Sequence, residues 1–376
     1  MRRYTMVENV SRRRVLRSAV AGVTATGIAS IASATEQTVF NVGYSSTAGR
    51  QAAVDAAAEV TRNFSFDAVT IRATREAVQG LENRPGIRYV EEDGRMHALQ
   101  TTPYGIEKVD ADVAIDQGET GAGAHVAVID TGIDPNHEDL AANVGEGEAF
   151  VSCRGRCAAD WDDDQGHGTH CAGTVGAVDN DLGVIGVSPD VTLHAAKVLD
   201  NSGSGSWSDV AAGIEWTADQ GYEVGSLSLG GSSGSGVVKD AVVYATDKGT
   251  LLVAAAGNSG PCTDCVGYPA AYDEVIAVSA TDSNDDLASF SSTGPEVEIA
   301  APGVDVLSTL PGDDYDYYSG TSMACPHVAG GAAHLMANGE SNTQARQSLQ
   351  DGADDIGLGS NEQGAGRLNV ADSLGL

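Results

Sequence analysis

The spacing of hydrophobic positions changes along the chain, and this change predicts where strands and helices lie. From residue 100 onward, continuous apolar runs alternate with stretches of helical spacing. The predicted strands are His125–Ile129, Thr192–Val198, Val224–Leu229, Thr250–Ala256 and Val275–Ala280. The predicted helices between them are Asp209–Gln220 and Val237–Lys248. Apolar strands separated by helices are typical of a parallel sheet covered on both faces, so we expect an α/β fold here.

The stretch from Glu36 to Leu99 shows a different pattern, in which short strands and helices alternate. Strands are predicted at Val39–Tyr44, Phe66–Ile71 and Ile87–Val90, and helices at Ala48–Val60 and Thr74–Glu82. This order indicates a small α+β unit. A unit of this size without cysteine buries little apolar surface, so we expect it to be stable only against the rest of the chain.

The N-terminus has the pattern of an export signal. A basic segment, Ser11–Arg17, precedes a mildly apolar run that ends in Ala32-Ser33-Ala34. The paired arginines resemble a twin-arginine signal. No run approaches the roughly 18 apolar residues of a membrane-spanning helix. We therefore expect a protein released outside the cell, with a signal at 1–34, a small unit at 35–99 and a main domain at 100–376.

The excess of acidic residues indicates the salt concentration at which the protein is stable. The chain carries 21 Lys and Arg against 53 Asp and Glu, and from Gln100 onward the counts are eight and 43. Such a domain should not bind nucleic acid or an anionic membrane. At molar salt the Debye length is only about 3 Å, which screens the internal repulsion. Recurrent apolar runs exclude a disordered acidic chain, so the composition predicts a halophilic, salt-requiring protein.

Near the C-terminus, Gly320-Thr321-Ser322 precedes the run Met323–Met336, which contains no Asp, Glu, Lys or Arg. This pattern predicts a buried helix with Ser322 at its N-terminus. Serine at that position can simply cap the helix. It can also be a nucleophile whose oxyanion faces free backbone N–H groups, provided that a base and a carboxylate lie elsewhere in the fold.

Candidate partners for such a nucleophile follow predicted strands. Asp130 ends the first strand of the main domain, Asn258 follows a later strand, and His167 lies between two glycines. Taken singly, Asp130 can be a loop cap and Asn258 a turn residue. Asn258 can also donate a hydrogen bond to an oxyanion. A zinc peptidase motif needs two histidines four apart with a glutamate, and the pair His167 and His170 lacks both features.

Asp130, His167, Asn258 and Ser322, in this order and with these neighbours, resemble the subtilisin-like serine proteases, and the secreted halophilic archaeal (halolysin-type) members in particular. The resemblance extends from about Tyr44 to Leu374. It implies a serine endopeptidase in which Asp130, His167 and Ser322 form the triad and Asn258 serves the oxyanion. It also implies that 35–99 is a propeptide that inhibits the enzyme from within the same chain. We expect a monomer that acts on proteins or peptides. The alternative is a catalytically silent subtilase scaffold that binds peptides or a partner protein.

The resemblance also implies a substrate-binding region in which the peptide pairs as an added strand. The backbone-pairing residues are then Gly203, Ser204, Gly205, Ser228, Leu229 and Gly230. Trp207 borders one pocket, while Ala255, Gly257 and Gly267 wall the pocket for the residue just before the cut, which we expect to be apolar. We predict self-cleavage after Leu99, with Leu99 in that pocket and Met96 against Trp207.

Two further sets of residues concern stability. By resemblance, a structural Ca²⁺ ion is expected at Gln100, Asp139, Val178, Asn180, Leu182 and Val184, the alternative being a solvated acidic loop. The acidic run Asp160–Asp164 is a weaker candidate for a second ion. Cys153 and Cys157, like Cys262 and Cys265, are close in sequence and are expected to form local disulfides rather than a zinc site. No role is predicted for Cys325.

Overall fold

A computed structural model describes residues 37–93, 100–155 and 157–376. The chain divides into two compact units, Met1–Met96 and His97–Leu376, and each is described by itself below. The predicted export signal, Met96 and the predicted cleavage bond after Leu99 lie outside the described residues. Within the described ranges, no helix has both the length and the apolar character needed to cross a membrane.

The first unit is a four-stranded antiparallel sheet with two short helices. In chain order its elements are β1 (Thr38–Tyr44), α1 (Thr47–Ala56), β2 (Glu59–Asn63), β3 (Ala68–Ala73), α2 (Arg75–Val78) and β4 (Ile87–Glu92). The strand order is β2-β3-β1-β4. Its small core includes Val42 and Ile71, which are fully buried.

Two predicted helices of this unit are shorter than expected. The helix predicted to reach Val60 ends at Ala56, and the residues that follow form β2, where Val60 pairs with Ile71. Pairing with a neighbouring strand therefore outweighs the helix preference of the alanine-rich segment, since propensity is a weak prior against tertiary contacts. The second helix spans Arg75–Val78 instead of Thr74–Glu82.

The second unit is built on a seven-stranded parallel sheet with the order β11-β10-β9-β8-β5-β7-β6, beside a β12-β13 hairpin. Its strands are β5 (His125–Asp130), β6 (Val144–Ala149), β7 (Thr192–Lys197), β8 (Val224–Leu227), β9 (Leu251–Ala255), β10 (Val275–Thr281), β11 (Val297–Pro302), β12 (Val306–Leu310) and β13 (Asp314–Tyr318). Its helices are α3 (Tyr104–Lys108), α4 (Ala111–Asp116), α5 (His167–Gly176), α6 (Trp207–Gln220), α7 (Gly236–Lys248), α8 (Thr321–Ala337), α9 (Asn342–Asp351), α10 (Ser360–Gln363) and α11 (Val370–Leu374). The predicted α/β fold with a parallel sheet is confirmed.

Both faces of this sheet are covered, and each face has its own core. On β5, Val126 and Val128 face the core that contains α5 and α8, while Ala127 and Ile129 face the core that contains α6 and α7. The predicted helix starting near Ser322 is α8, and nearly all of its residues are buried. Because α5 packs against α8, the two helices that carry His167 and Ser322 meet on one face of the sheet.

Candidate active site

Asp130 and His167 form a hydrogen-bonded pair at the carboxyl end of the sheet. Asp130 is the last residue of β5 and is fully buried, while His167 is the first residue of α5. The Asp130 Oδ1 atom lies 2.7 Å from His167 Nδ1 and also accepts a 2.7 Å hydrogen bond from the Thr131 backbone N–H. The His167 side chain keeps 23% of its surface exposed, so the carboxylate is sealed while the imidazole reaches solvent.

The environment of His167 changes its proton affinity. Burial lowers the pKa of the imidazole, but the charge of Asp130, the neighbouring Cys171 and the hydrogen bonds to both together leave the pKa well above its ordinary value of 6.5. A carboxylate at this position also holds the proton of the neutral ring on Nδ1, since Nδ1 is the nitrogen that faces Asp130. The Nε2 atom is then the ring position that can accept a proton.

Ser322 lies at the second position of α8 and is half-buried. Its Oγ donates a 3.1 Å hydrogen bond to the Ser228 carbonyl, and its own carbonyl accepts one of 2.8 Å from Ser228 Oγ. Among the described residues, His167 and Ser322 share no hydrogen bond. Cys171 Sγ nevertheless lies 4.0 Å from His167 Nδ1 and 3.5 Å from the Ser322 carbonyl oxygen, so both residues border the same thiol.

Asn258 is held beside Ser322 through only one end of its amide. Its Oδ1 accepts hydrogen bonds from the Thr321 backbone N–H at 2.9 Å and from Thr321 Oγ1 at 3.0 Å. Within the described part of the chain, its Nδ2 has no hydrogen-bond acceptor, and Asn258 lines the same cavity as Ser322. A fixed amide with an uncommitted N–H is suited to donate to a developing oxyanion.

The residues predicted to bind substrate line two cavities that share the segment Ser228–Gly231. The first cavity, of about 470 Å³, is lined by His167, Gly203, Ser204, Gly205 and Trp207, among others. Trp207 is 56% exposed at its edge. The second cavity, of about 440 Å³, is lined by Ala255, Gly257, Asn258, Gly267 and Ser322, among others. The structure thus places the predicted residues in two adjoining cavities, the first lined by His167 and the second by Ser322.

The second cavity also includes Asp264, which the sequence did not predict there. Asp264 lies on a tight loop closed by the disulfide Cys262–Cys265. The other predicted local pair, Cys153–Cys157, is also a disulfide, which leaves no zinc site on these four sulfurs. The two closely spaced cysteines around Asp264 indicate a short rigid loop. They do not indicate that this loop lies beside the cavity that contains Ser322.

Two cysteines remain free and buried, Cys171 and Cys325. Cys325 Sγ lies 3.7 Å from Ser226 Oγ and 3.4 Å from the Val253 carbonyl oxygen, which places it against the strands β8 and β9. Burial raises the pKa of the Cys325 thiol to about 12 and also raises the pKa of the Cys171 thiol. Both thiols therefore stay protonated and behave as packing groups.

The residues predicted to bind Ca²⁺ also come together. Gln100 Nε2 lies 3.0 Å from the Val178 carbonyl oxygen and 3.5 Å from that of Val184, so the two carbonyls converge on one amide. The buried Asp139 carboxylate accepts from Asn180 Nδ2 at 3.2 Å and from the Val184 N–H at 2.8 Å. The Leu182 N–H donates to Asn180 Oδ1 at 2.9 Å. Oxygen ligands of this kind suit a hard cation.

The acidic run Asp160–Asp164 has another use in the fold. Asp162 accepts from the Ala158 N–H at 2.5 Å, and Asp163 accepts from the Gly166 and Thr169 N–H groups at 2.8 and 2.9 Å. These bonds shape the loop that presents His167 at the start of α5. The carboxylates of Asp162 and Asp163 are thus already engaged by donors of the protein and are less free to hold a second ion.

Asp164 is paired with a buried lysine. Lys197, the last residue of β7, has no exposed surface, and its Nζ lies 2.7 Å from Asp164 Oδ1. The same ammonium group donates to the carbonyl oxygens of Thr131 and Leu199, so its three hydrogens all have acceptors. A buried charge is tolerated because it is paired and hydrogen-bonded. Lys197 therefore ties the acidic loop to the turn that follows Asp130.

Residues 121–366 match the subtilase family (Peptidase S8). Subtilisin amylosacchariticus of Bacillus subtilis subsp. amylosacchariticus is 44% identical over 318 residues, which cover 83% of this chain and 82% of that protein. Alkaline elastase YaB of Bacillus sp. (strain YaB) is 43% identical over 321 residues, or 85% of this chain and 82% of the relative. Subtilisin DY of Bacillus licheniformis is 49% identical over 275 residues, which cover 72% of this chain and 98% of the relative.

Proposed function

The chain belongs to the subtilase family and is a subtilisin-like serine endopeptidase. On that premise we propose that it cleaves peptide bonds through Asp130, His167 and Ser322, and that Asn258 donates a hydrogen bond to the oxyanion. The observation that supports this most is the 2.7 Å bond between Asp130 and His167 next to a serine at a helix N-terminus. The chain order Asp, His, Ser is the one found in subtilisin.

In the proposed reaction, Ser322 Oγ attacks the carbonyl carbon of the scissile bond while His167 Nε2 takes the hydroxyl proton. To do so, the hydroxyl turns from the Ser228 carbonyl toward the imidazole, a rotation about one side-chain bond. The imidazolium then gives its proton to the leaving amine. Water, deprotonated by the same ring, then attacks the acyl-enzyme; the bond to Ser322 Oγ breaks and the imidazolium returns its proton to that oxygen. Asp130 keeps the ring oriented and stabilises its charged form throughout.

The oxyanion of the tetrahedral intermediate would be held by two donors. One is Asn258 Nδ2, whose amide oxygen is already anchored on Thr321. The other is the Ser322 backbone N–H, which belongs to the first turn of α8, where N–H groups have no partner within the helix. Both donors are already in place, so no energy is spent on reorganising them when the negative charge develops on the oxygen. They therefore stabilise the transition state more than the uncharged substrate carbonyl.

We propose that the substrate binds as an extended strand between the segments Gly203–Gly205 and Ser228–Gly230. Gly203, Gly205 and Gly230 all line the first cavity, and their backbone carries no side chain that would keep an extended peptide away. Trp207 would contact a residue farther along the peptide. The small residues Ala255, Gly257 and Gly267 leave room for an apolar side chain just before the cut.

A structural Ca²⁺ ion would be held by Asp139, Asn180 and Gln100 with the carbonyl oxygens of Val178, Leu182 and Val184. The converging carbonyls of Val178 and Val184 support this proposal, because a half-turn of the Gln100 amide would present its oxygen to the same point. The bound ion would add stability by binding only the folded chain. It takes no part in the proposed chemistry.

We further propose a secreted, halophilic enzyme that is exported by the twin-arginine pathway and matured by its own cut after Leu99. The 275-residue match to subtilisin DY, nearly the whole of that relative, supports the boundary because Gln100–Leu376 has almost the same length. Residues 35–99 would be an inhibitory propeptide. After residue 99 the chain has 43 acidic residues and only eight basic ones, and this imbalance supports the salt requirement.

The test is hydrolysis of a chromogenic peptide by the purified protein over a salt series from about 0.1 to 1 M, with and without a serine-directed covalent inhibitor. Across this range the Debye length falls from about 10 to 3 Å. We expect hydrolysis that the inhibitor abolishes and that rises with salt. No hydrolysis at any salt would favour the catalytically silent scaffold, while equal hydrolysis at both extremes of the series would remove the halophile proposal.

Maturation is tested by N-terminal sequencing of the active enzyme beside the Ser322→Ala protein. We expect a new N-terminus at Gln100, within about one residue, in the active enzyme and an intact precursor in the variant. Burial of a leucine side chain in the pocket contributes about 1.5–3 kcal/mol, enough to hold the register of the cut. A variant precursor that is cut at this bond without added protease contradicts self-processing.

A further inference from the structure

The cavity beside Ser322 contains one feature that a purely apolar pocket would not have. Among the described residues that line it, Asp264 is the only one with a charged side chain. Resting on the proposed function, which places the residue before the scissile bond in this cavity, we propose that Asp264 makes the enzyme accept lysine and arginine at that position. The carboxylate would pair with the cationic head while the aliphatic stem packs against the walls.

Asp264 is held in place by its loop. The disulfide Cys262–Cys265 closes the loop around it. The Cys265 N–H donates to the Thr293 carbonyl at 2.9 Å, and Thr293 Oγ1 donates to the Cys262 carbonyl at 2.6 Å. Both ends of the loop are thus fixed to the same neighbouring residue, so the backbone that carries Asp264 at the edge of the cavity does not have to be ordered on binding.

The carboxylate of Asp264 is available to a ligand. The residue is exposed, and within the described ranges it makes no ion pair or side-chain hydrogen bond. A second carboxylate lies behind the loop, because a Cβ atom on Gly294 would be 2.7 Å from Glu296 Oε2 and 3.8 Å from Asp264 Cα. Glu296 Oε2 is buried without a hydrogen-bond partner. Two acidic groups this close to the cavity, one lining it and one buried behind it, make the local potential negative.

The rest of the cavity suits the stem of a long side chain. Val266 and Gly267 follow Asp264 in the wall, and Gly267 is fixed by a 2.8 Å hydrogen bond from its N–H to the Ala256 carbonyl. A volume of about 440 Å³ exceeds what a lysine or arginine side chain fills. Lysine and arginine commonly pack their methylene groups on apolar surface while the charged head stays near water, as it would at an exposed carboxylate.

The experiment compares two peptide substrates that differ only in the residue before the cut, lysine in one and norleucine in the other. Norleucine has the same chain length without the ammonium group, so the ratio of the two kcat/KM values isolates the charge. We expect Asp264→Asn to lower the lysine-to-norleucine ratio about fivefold, the effect of one partly exposed ion pair. Asp264→Lys should lower it further and favour a matching glutamate substrate.

The matched control is Asp240→Asn, which removes one exposed carboxylate on α7, away from this cavity. It should leave the ratio within twofold of the parent enzyme, since net charge changes equally in both variants. If Asp264→Asn also leaves the ratio unchanged while both peptides are cleaved, the proposal for Asp264 is wrong and the endopeptidase function stands. If the parent enzyme cleaves neither these peptides nor one with leucine at that position, the proposed function fails as well.

Discussion

The region around Ser322 and the loop around Asp139 both gather polar atoms, but the protein holds them in different ways. Around Ser322 the polar groups are anchored on one another, with Asp130 on His167 and Asn258 on Thr321. Around Asp139 the carboxylate is anchored as well, on Asn180 and the Val184 N–H, but the carbonyls of Val178 and Val184 in addition converge on the amide of Gln100. We infer that the first region is organised by the fold alone and governs rate, while the second gains from a cation and governs stability. Four predictions test this division.

The largest effect is expected for Ser322→Ala. Removal of the hydroxyl should lower kcat by about 10⁶-fold, a magnitude carried over from subtilisin, and should leave the melting temperature unchanged because the helix keeps its packing. Ser232→Ala, at another serine of the same cavity, is the matched control and should retain activity. Steady-state rates and thermal melts of both variants decide the matter. Substantial hydrolysis by pure Ser322→Ala protein contradicts the triad.

The second effect concerns Asn258. Asn258→Asp keeps the oxygen that accepts from Thr321 but removes the amide donor, while Asn258→Ala removes both. Each should lower kcat by about 10²–10³-fold with little change in KM; this range, too, is carried over from subtilisin. If KM rises while kcat stays the same, Asn258 is a binding residue and the oxyanion role must be given up.

The third effect should appear in stability and not in rate. Asp139→Asn removes the charge from the proposed Ca²⁺ site, and Asp181→Asn, an exposed position of the same loop, is the control. With Ca²⁺ at 100 times its dissociation constant, the parent should gain about 2.7 kcal/mol of unfolding free energy, and Asp139→Asn should lose most of that gain. Denaturant melts with Ca²⁺ and with a chelator measure it, beside kcat at saturating substrate. A similar gain in both variants argues against this ligand.

The smallest effect is the pH dependence of the rate. Because the pKa of His167 in the folded chain is raised above 6.5, its neutral form becomes dominant only at higher pH. We therefore expect kcat/KM to increase with pH along a limb whose apparent pKa lies above 6.5, with less than half the maximal rate at pH 6.5. Asp139→Asn should show the same limb. A limb below 6.5 would mean that Asp130 does not control the base.

Sequence reasoning succeeded where a residue's position depends on its own neighbours in the chain. The strand ending at Asp130 is a continuous apolar run because it is buried on both faces, and the run alone predicts it. The edge strand β6 reads Val-Gly-Glu-Gly-Glu-Ala, with no apolar run, and was not predicted. The strand Glu59–Asn63 was missed because its pairing partner, not its composition, decides its state.

The candidate site shows the same limit. Asp130, His167, Asn258 and Ser322 each stand in a short local motif, so their sequence neighbours identified them. Asp264 borders the cavity because its loop is fixed to Thr293, about thirty residues away, and no local pattern encodes that contact. The hydrogen bond from Ser322 to Ser228 is equally long-range, which is why the resting direction of the hydroxyl could not be anticipated.

The buried pair of Lys197 and Asp164 has a practical consequence for attaching the enzyme to a support. The chain has only four lysines, and burial removes Lys197 from amine-reactive chemistry. Lys248 has the most exposed side chain of the other three, at 48%, against 24% for Lys108 and 35% for Lys239. It ends α7, whereas Val238 near the start of that helix borders the substrate groove. Coupling through lysine side chains should therefore favour Lys248 and leave the proposed groove, at the other end of α7, away from the support.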